Sequence, residues 1–433
     1  MQYFFILGRN PTLSVAEITN VLQVETNNLQ IKKISKEVLI LETRDKINLA
    51  KLQEKLGGTI KVGKILTEID FDSDQISKLS YSYIRNKFVV RSHQKVYFGF
   101  SIYKLAEEAH LTNLGKRIKD AALEMKKKLK ACDVSSRWVT SRQRALSSVV
   151  VKENRLLERG AEFVFLVGSS KILFGRTLTV QAFKEYSFRD FSRPARPIEK
   201  GMMPPKLAKI MINLSQAPEG ARILDPFCGS GTILQEVARL GYQHLIGTDT
   251  SDEAVENTKK NLEWLAEKSK ISAESGSAPL AGQAGGKNKI PKTQIKNVKI
   301  FRSDVREISK KIAPHSIDAI VTEPYLGPLK ISNFKFQISN LSDLYLSAFK
   351  EFKKILKPDG RVVIILPIFR VGRRLHFLPI LDKIKKMGWR LEIPIPDYLL
   401  KNPVIKITSR GSMIYSRPGQ KVLREIFIFK NEN

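Results

Sequence analysis

Ile223-Leu224-Asp225-Pro226-Phe227-Cys228-Gly229-Ser230-Gly231-Thr232 decides the fold of the C-terminal half. A short apolar run ends in an acid, turns through two glycines and opens onto a helical pattern over 231–240. Gly229 and Gly231 permit positive φ and close approach of a ligand to the backbone. The helix start beyond them offers unpaired N–H groups to an anion such as a ligand carboxylate. About 20 residues further on, Asp249 closes the next apolar run, Leu245–Asp249, where an acid can accept both hydroxyls of a ribose. A glycine turn by itself is shared by many nucleotide folds. The phosphate-cradling lysine of a P-loop is missing from this one.

Working outward, the same alternation continues. Ile223–Asp225, Leu245–Asp249, Val298–Phe301, Ile317–Val321 and Arg361–Leu366 read as short buried strands. Helical stretches over 231–240, 252–267, 341–356 and 375–387 separate them. That succession predicts an α/β domain over 201–433 with a doubly wound parallel sheet. Residues 269–296 are rich in Ser, Ala, Gly, Lys and Gln without periodicity and read as a flexible insertion.

The N-terminal half reads as α+β. Tyr3–Leu7 is a strand, followed by a short helix with Ser14 as N-cap and Glu17 at N3 of a capping box. This small domain is expected to span 1–70. A second module, 71–186, carries strands at Phe88–Arg91, Lys95–Phe100 and Trp138–Thr140. It also carries a basic amphipathic helix at 114–130 and a hairpin over 162–175. An Arg- and Pro-rich linker, 187–200, precedes the C-terminal half.

The wording Asp-Pro-Phe-Cys-Gly-Ser-Gly-Thr resembles motif I of S-adenosylmethionine-dependent methyltransferases that modify exocyclic amines. Ser303-Asp304 resembles the segment whose acid binds the adenine amino group, and Thr322-Glu323-Pro324-Tyr325 falls where such enzymes carry Asp/Asn-Pro-Pro-Tyr/Phe. Met202-Met203-Pro204-Pro205 is similar to the motif over the methionine end of the cofactor. The first half is similar to tRNA guanosine N2-methyltransferases acting at guanosine 10, with residues 84–185 resembling a THUMP RNA-binding module. Tyr186–Pro197 resembles the junction in those enzymes. The resemblance implies a Rossmann-like class I methyltransferase domain behind a THUMP-like domain, with S-adenosyl-L-methionine as cofactor and tRNA as partner. Under it, Pro204, Asp225, Phe227, Cys228, Gly229, Ser230, Gly231, Thr232, Asp249, Thr250, Asp304 and Val305 hold the cofactor. Thr322, Glu323, Pro324 and Tyr325 hold the base. The sequence departs from the family at Thr322 and Glu323, where an Asp or Asn and a Pro are usual, so the acceptor of the amine hydrogens stays open between them.

Charge points the same way. Lys and Arg total 74 against 43 acids, a formal net charge of +31, which suits a polyanion. Arg137, Arg142, Arg144, Lys152, Arg155, Arg189, Arg193 and Arg196 are the candidate RNA contacts, through phosphate and 2′-OH groups. Solvation of helix faces is the bland alternative for any one of them, and Trp138 reads as core. Arg370, Arg373 and Arg374 fall near the expected mouth of the site. Two cysteines and five histidines show no metal-ligand spacing. They suit a metal-free enzyme in a reducing compartment, the cytoplasm. No apolar run of about 20 residues would span a membrane. The charge permits a monomer without requiring one. Two competing readings stay open: a methyltransferase acting on ribosomal RNA or DNA adenine, and an RNA-binding protein with a decayed catalytic site.

Overall fold

The run Tyr3-Phe4-Phe5-Ile6-Leu7 forms β1 (Gln2–Leu7) and is buried along its whole length. It lies inside a sheet, covered on both faces. The computed structural model describes residues 1–26, 28–70, 72–89, 95–107, 114–197, 202–274, 297–327 and 334–432. After β1 come α1 (Pro11–Glu25), β2 (Leu29–Ile34), β3 (Val38–Thr43), α2 (Leu49–Lys55), β4 (Thr59–Ile69) and α3 (Ser73–Ile84). Then follow β5 (Val96–Lys104), α4 (Leu114–Ala131), β6 (Ser136–Val139), α5 (Ser148–Glu153), β7 (Gly160–Val167) and β8 (Ile172–Val180). All eight strands join one sheet in the order β2-β3-β1-β4-β8-β7-β5-β6. β4 pairs antiparallel with β8, so the sheet continues across residue 70.

Three local expectations are corrected here. Asn10, not Ser14, caps α1: its side chain accepts from Leu13 N. Ser14 and Glu17 are buried instead, where Ser14 Oγ donates to Gly58 O. Glu17 accepts from the N–H groups of Gly57 (2.8 Å) and Gly58 (2.7 Å) and from Asn213 Nδ2 (2.7 Å). Burial pushes its carboxyl up to about 7 against those hydrogen bonds. Second, Phe88 is not in a strand. Arg85–Val89 continues α3 as a π-helical turn, with the Phe88 ring edge-on to Tyr83; Val90 and Arg91 lie outside the described residues. Third, the first part of the expected linker is helical, as α6 (Phe183–Phe191).

The second half continues with α7 (Pro205–Leu214), β9 (Arg222–Asp225), α8 (Thr232–Arg239), β10 (His244–Asp249), α9 (Asp252–Glu274), β11 (Asn297–Arg302), β12 (Ile317–Thr322), α10 (Phe334–Ile355) and β13 (Leu356–Val371). It ends with β14 (Arg374–Phe377), α11 (Leu381–Lys386), β15 (Trp389–Glu392), α12 (Asp397–Leu400), β16 (Met413–Tyr415) and β17 (Val422–Asn431). The sheet order is β11-β10-β9-β12-β13-β17-β15, with β14 on β13 and β16 on β17. The first five strands are mutually parallel, and β17 runs antiparallel to both β13 and β15. This is the α/β architecture expected, with an antiparallel strand the sequence reading did not anticipate. The helix read over 375–387 begins only at Leu381, because Gly372 (φ +58°) turns β13 back into β14. The segment read as an insertion from 269 starts inside α9, and 275–296 lies outside the described residues.

One hydrophobic core crosses between the halves. Leu13, Ile18 and Leu22 of α1 share it with Leu207, Met211 and Ile212 of α7. Two buried polar clusters lock the arrangement. Glu236 of α8 receives Arg189 of α6 through Nε (2.5 Å) and Nη2 (3.3 Å), and Lys209 of α7 lies 3.6 Å away. Inside the first sheet, Lys61 meets Glu162, which also accepts from Ser101 and Thr177. Removing one partner from such a buried set leaves an unpaired charge out of water, a cost of about 3–5 kcal/mol.

Candidate active site

Parallel strands with helices on both faces leave a crevice outside their carboxyl ends, where the order reverses between β9 and β12. Asp225, Asp249, Asp304, Thr322 and Glu323 all lie at or just past those ends. Asp225 is buried. Its Oδ1 accepts from Thr322 Oγ1 (2.7 Å) and from Phe227 N (3.2 Å). Burial, then the charges of Asp249 and Glu323, push its carboxyl up to about 7, against the two hydrogen bonds.

The glycine turn is held from three sides. Asp249 Oδ2 accepts from Gly229 N (3.0 Å) while its Oδ1 accepts from Ser251 N (3.1 Å). Thr258 Oγ1 donates to Gly229 O (2.8 Å), and Asn261 Nδ2 donates to Ser230 O (2.8 Å). Cys228 N donates to Thr248 O (2.9 Å), and burial raises its thiol far above the usual range. Gly231 caps α8 at φ +80°, and a Cβ there would sit 2.9 Å from Thr258 Cγ2. Gly229, at φ +54°, faces open space within 4 Å, the cradle a ligand needs.

The remaining expected cofactor contacts fall around this turn. Phe227 is half-buried against the core, Thr250 is exposed and Val305 is buried. Pro204 caps α7. Asp304 is already engaged: it caps the 3-10 turn Val305–Lys310 and holds Arg306 at 2.6 Å, which pulls its carboxyl below the usual range. Thr232 accepts from Arg193 Nη1 (2.6 Å).

The strand-end motif after β12 divides by direction. Thr322 is buried and turned back to Asp225, so its hydroxyl proton is committed inside. Glu323 is gripped by Arg424 of β17, Nε to Oε1 2.5 Å and Nη2 to Oε2 3.4 Å. Burial raises the Glu323 carboxyl and Arg424 opposes that. Pro324 is buried, while Tyr325 is 60% exposed with its carbonyl fixed by Tyr345 Oη at 2.6 Å. Its ring is therefore free to stack.

The expected RNA contacts separate as well. Arg137, Arg142 and Arg155 are exposed, Lys152 is half-buried, and Arg144 pairs with Glu37. Arg189 and Arg193 are corrected: both are buried and spend their guanidiniums on Glu236 and Thr232. Arg196 lies over the Phe191 ring. Sequence reasoning missed Thr258, Asn261 and Arg424. Thr258 and Asn261 are fully buried polar residues three apart on α9, a pattern that signals work for the adjoining loop. Arg424 had no local signal. Among the described residues no cluster of His, Cys, Asp and Glu could hold a metal, and no helix is long and apolar enough to cross a membrane.

The class follows from this sheet and its edge: the fold is the Rossmann-like methyltransferase fold. The crystal structure of TrmN from Thermus thermophilus matches the whole chain along its own full length, with a TM-score of 0.53 at 14% identity. Residues 193–371 match the family described as RMKL-like, methyltransferase domain. A second family, described as DNA methylase, matches residues 82–260 and so crosses from the first sheet into the second. The chain is 29% identical over 200 residues to the tRNA (guanine(10)-N2)-dimethyltransferase of Methanothermobacter thermautotrophicus, covering 45% of this chain and 48% of that protein. It is 30% identical over 161 residues to the enzyme of the same name from Methanocaldococcus jannaschii, covering 36% and 39%. These matches span about half or less of the relatives' length.

Proposed function

We propose that the chain is a cytoplasmic S-adenosylmethionine-dependent methyltransferase that acts on the 2-amino group of a tRNA guanosine, at position 10. The observation that carries this reading is the shared strand edge at which Asp249 and Glu323 lie close enough to Asp225 to act on its charge, with an open Gly229 and an exposed Tyr325 at the same edge. The site suits that cofactor: Asp249 keeps lone pairs for ribose hydroxyls, and Gly229 leaves room for it. When bound, it supplies an electrophilic methyl group on a sulfonium. Pro204, Phe227, Cys228, Ser230, Gly231, Thr232, Thr250 and Val305 shape the cradle. Asp304 can accept from the adenine amine only through oxygens it shares with Arg306.

An exocyclic amine is a poor nucleophile because its lone pair is delocalised into the ring. An oxygen accepting its hydrogens favours the tetrahedral geometry that attack requires. With Thr322 fully buried, Glu323 is the acid left to accept them, through lone pairs that Arg424 does not occupy, and Arg424 aims it while opposing the effect of burial on its carboxyl. Tyr325 stacks on the base and Pro324 stiffens the turn that presents it. The guanosine must leave its stack, at about a few kcal/mol. The names of the two methanogen relatives favour tRNA guanosine, and the excess of basic residues favours a nucleic acid.

The DNA methylase match favours a second reading, transfer to DNA adenine. Competition separates the two. Methyl transfer to bulk tRNA is expected to be suppressed by unlabelled tRNA and not by equal masses of ribosomal RNA or duplex DNA. Suppression by DNA alone would overturn the tRNA reading. Calorimetry with S-adenosylhomocysteine tests for a decayed site, and absence of binding at high micromolar ligand would favour decay.

A further inference from the structure

β13 is 16 residues long, but its pairing with β12 ends where Ile364 meets Thr322. Its last seven residues run past that end; Ile365–Phe369 stay buried, and Arg370 and Val371 emerge into solvent. There β13 pairs with β14 on one side and β17 on the other, from Ile368↔Phe377 to Val371↔Arg374 and from Pro367↔Arg424 to Phe369↔Val422. The exposed part is a short finger, the β13–β14 turn, which lies against the turn before β17: Arg370 N donates to Lys421 O (2.8 Å). Its tip carries Arg370, Arg373 and Arg374, and the neighbouring turn before β17 carries Arg417 and Lys421; all five are exposed. None of the five makes an ion pair with a described residue. No acid occurs between Asp359 and Asp382, or between Asp397 and Glu425, so nothing in either segment neutralises them.

That isolation needs an explanation. With 74 basic residues against 43 acids, many cations of this chain pair with no acid, whereas others do, as in Lys357–Asp318 and Lys430–Asp359; these five stand out because they lie together in two segments that hold no acid. Five exposed cations on two adjoining turns repel one another and favour an outside anion. The root of the finger fixes its relation to the chemistry. Arg424, the partner of Glu323, stands opposite Pro367, and Arg370 follows three residues later, about 10 Å along the strand. Exposed Val371 and Leu375 lie between the cations, offering apolar contact beside the charge.

We infer that the β13–β14 finger, with Arg370, Arg373, Arg374, Arg417 and Lys421, is an RNA-backbone clamp that grips phosphates flanking the base presented to Glu323 and Tyr325. This rests on the nucleic-acid reading of the site and extends it to a second contact surface, separate from the first sheet. Guanidinium groups suit the clamp because each can engage a phosphate through two N–H donors. Backbone contacts position the strand and carry no sequence information.

The test uses the full chain with Arg370, Arg373 and Arg374 all changed to Gln, and bulk tRNA as the probe. The three side chains are exposed and Gly372 is untouched, and unchanged S-adenosylhomocysteine affinity reports an intact site. The expected result is a slope of log affinity against log salt shallower by about 2–3, with tRNA binding about tenfold or more weaker near physiological salt. In transfer assays KM for tRNA rises while kcat stays near its original value, as for a contact equal in ground and transition states. Slope and KM unchanged in the triple variant, when the wild type methylates RNA, would overturn the clamp alone. A wild type with no affinity for tRNA at any salt would overturn the clamp together with the substrate reading. Vesicles containing anionic lipid form the control arm: loss of vesicle binding with tRNA binding intact would assign the finger to a membrane surface and overturn the proposal.

Discussion

Asp225→Asn should make the protein more stable at pH 8 and leave its stability nearly unchanged at pH 4. Asp225 is buried, and its carboxyl is pushed from 3.8 to about 7. Between those values the folded protein keeps a proton that the unfolded chain sheds. Stability therefore falls as pH rises through that window, by 1.36 kcal/mol per pH unit, and levels off above it. The accumulated loss is on the order of 4 kcal/mol. Asparagine carries no such proton, and its Oδ1 can still accept from Thr322 Oγ1 and Phe227 N. Glu17, also raised to about 7, titrates in the same range, so only the difference between the two proteins isolates Asp225. The assay is unfolding midpoint against pH, from pH 4 to 8, for both. Curves that stay parallel throughout would refute the reasoning, because the carboxylate would then be ionised in the folded state at little cost.

Three further outcomes follow from named contacts. Arg424→Met should lower kcat about 10²-fold and move the acid limb of the rate profile to higher pH, because Glu323 loses the charge that holds its proton off; Arg424→Lys should recover part of both, and an unmoved limb would remove Glu323 from the rate-determining ionisation. Tyr325→Ala should keep S-adenosylhomocysteine affinity and lose at least about tenfold in turnover, measured by methyl transfer to tRNA; undiminished turnover would take the ring out of base positioning. Glu236→Gln should cost about 3–5 kcal/mol in denaturant unfolding, since Arg189 and Lys209 are left buried without their counter-charge, and a loss under about 1 kcal/mol would mean that water reaches them.

Much of the second half was legible because its signals are local. The Ile223–Thr232 stretch encodes a buried strand, positive φ at two glycines and a helix start within ten residues. Asp249 could be placed because parallel strands end level with one another. What escaped depended on distant partners. The sequence left the amine acceptor open between Thr322 and Glu323; Thr322 is buried against Asp225, 97 residues away, and Glu323 is only partly buried and aimed by Arg424, 101 residues away. The capping box at Ser14 and Glu17 had the right residue types, yet tertiary burial under Gly57 and Gly58 outweighed local capping once Asn10 could cap instead. Arg189 and Arg193 look like RNA contacts by composition, and only packing against α8 turns them inward.

The most direct measurement is mass spectrometry of nucleosides from bulk tRNA incubated with the protein and S-adenosylmethionine carrying an isotopically labelled methyl group. The label should appear in N2-methylguanosine or N2,N2-dimethylguanosine, and should vanish with Glu323→Ala. Label in N6-methyladenosine, or none in RNA from a protein that binds S-adenosylhomocysteine, would contradict the account.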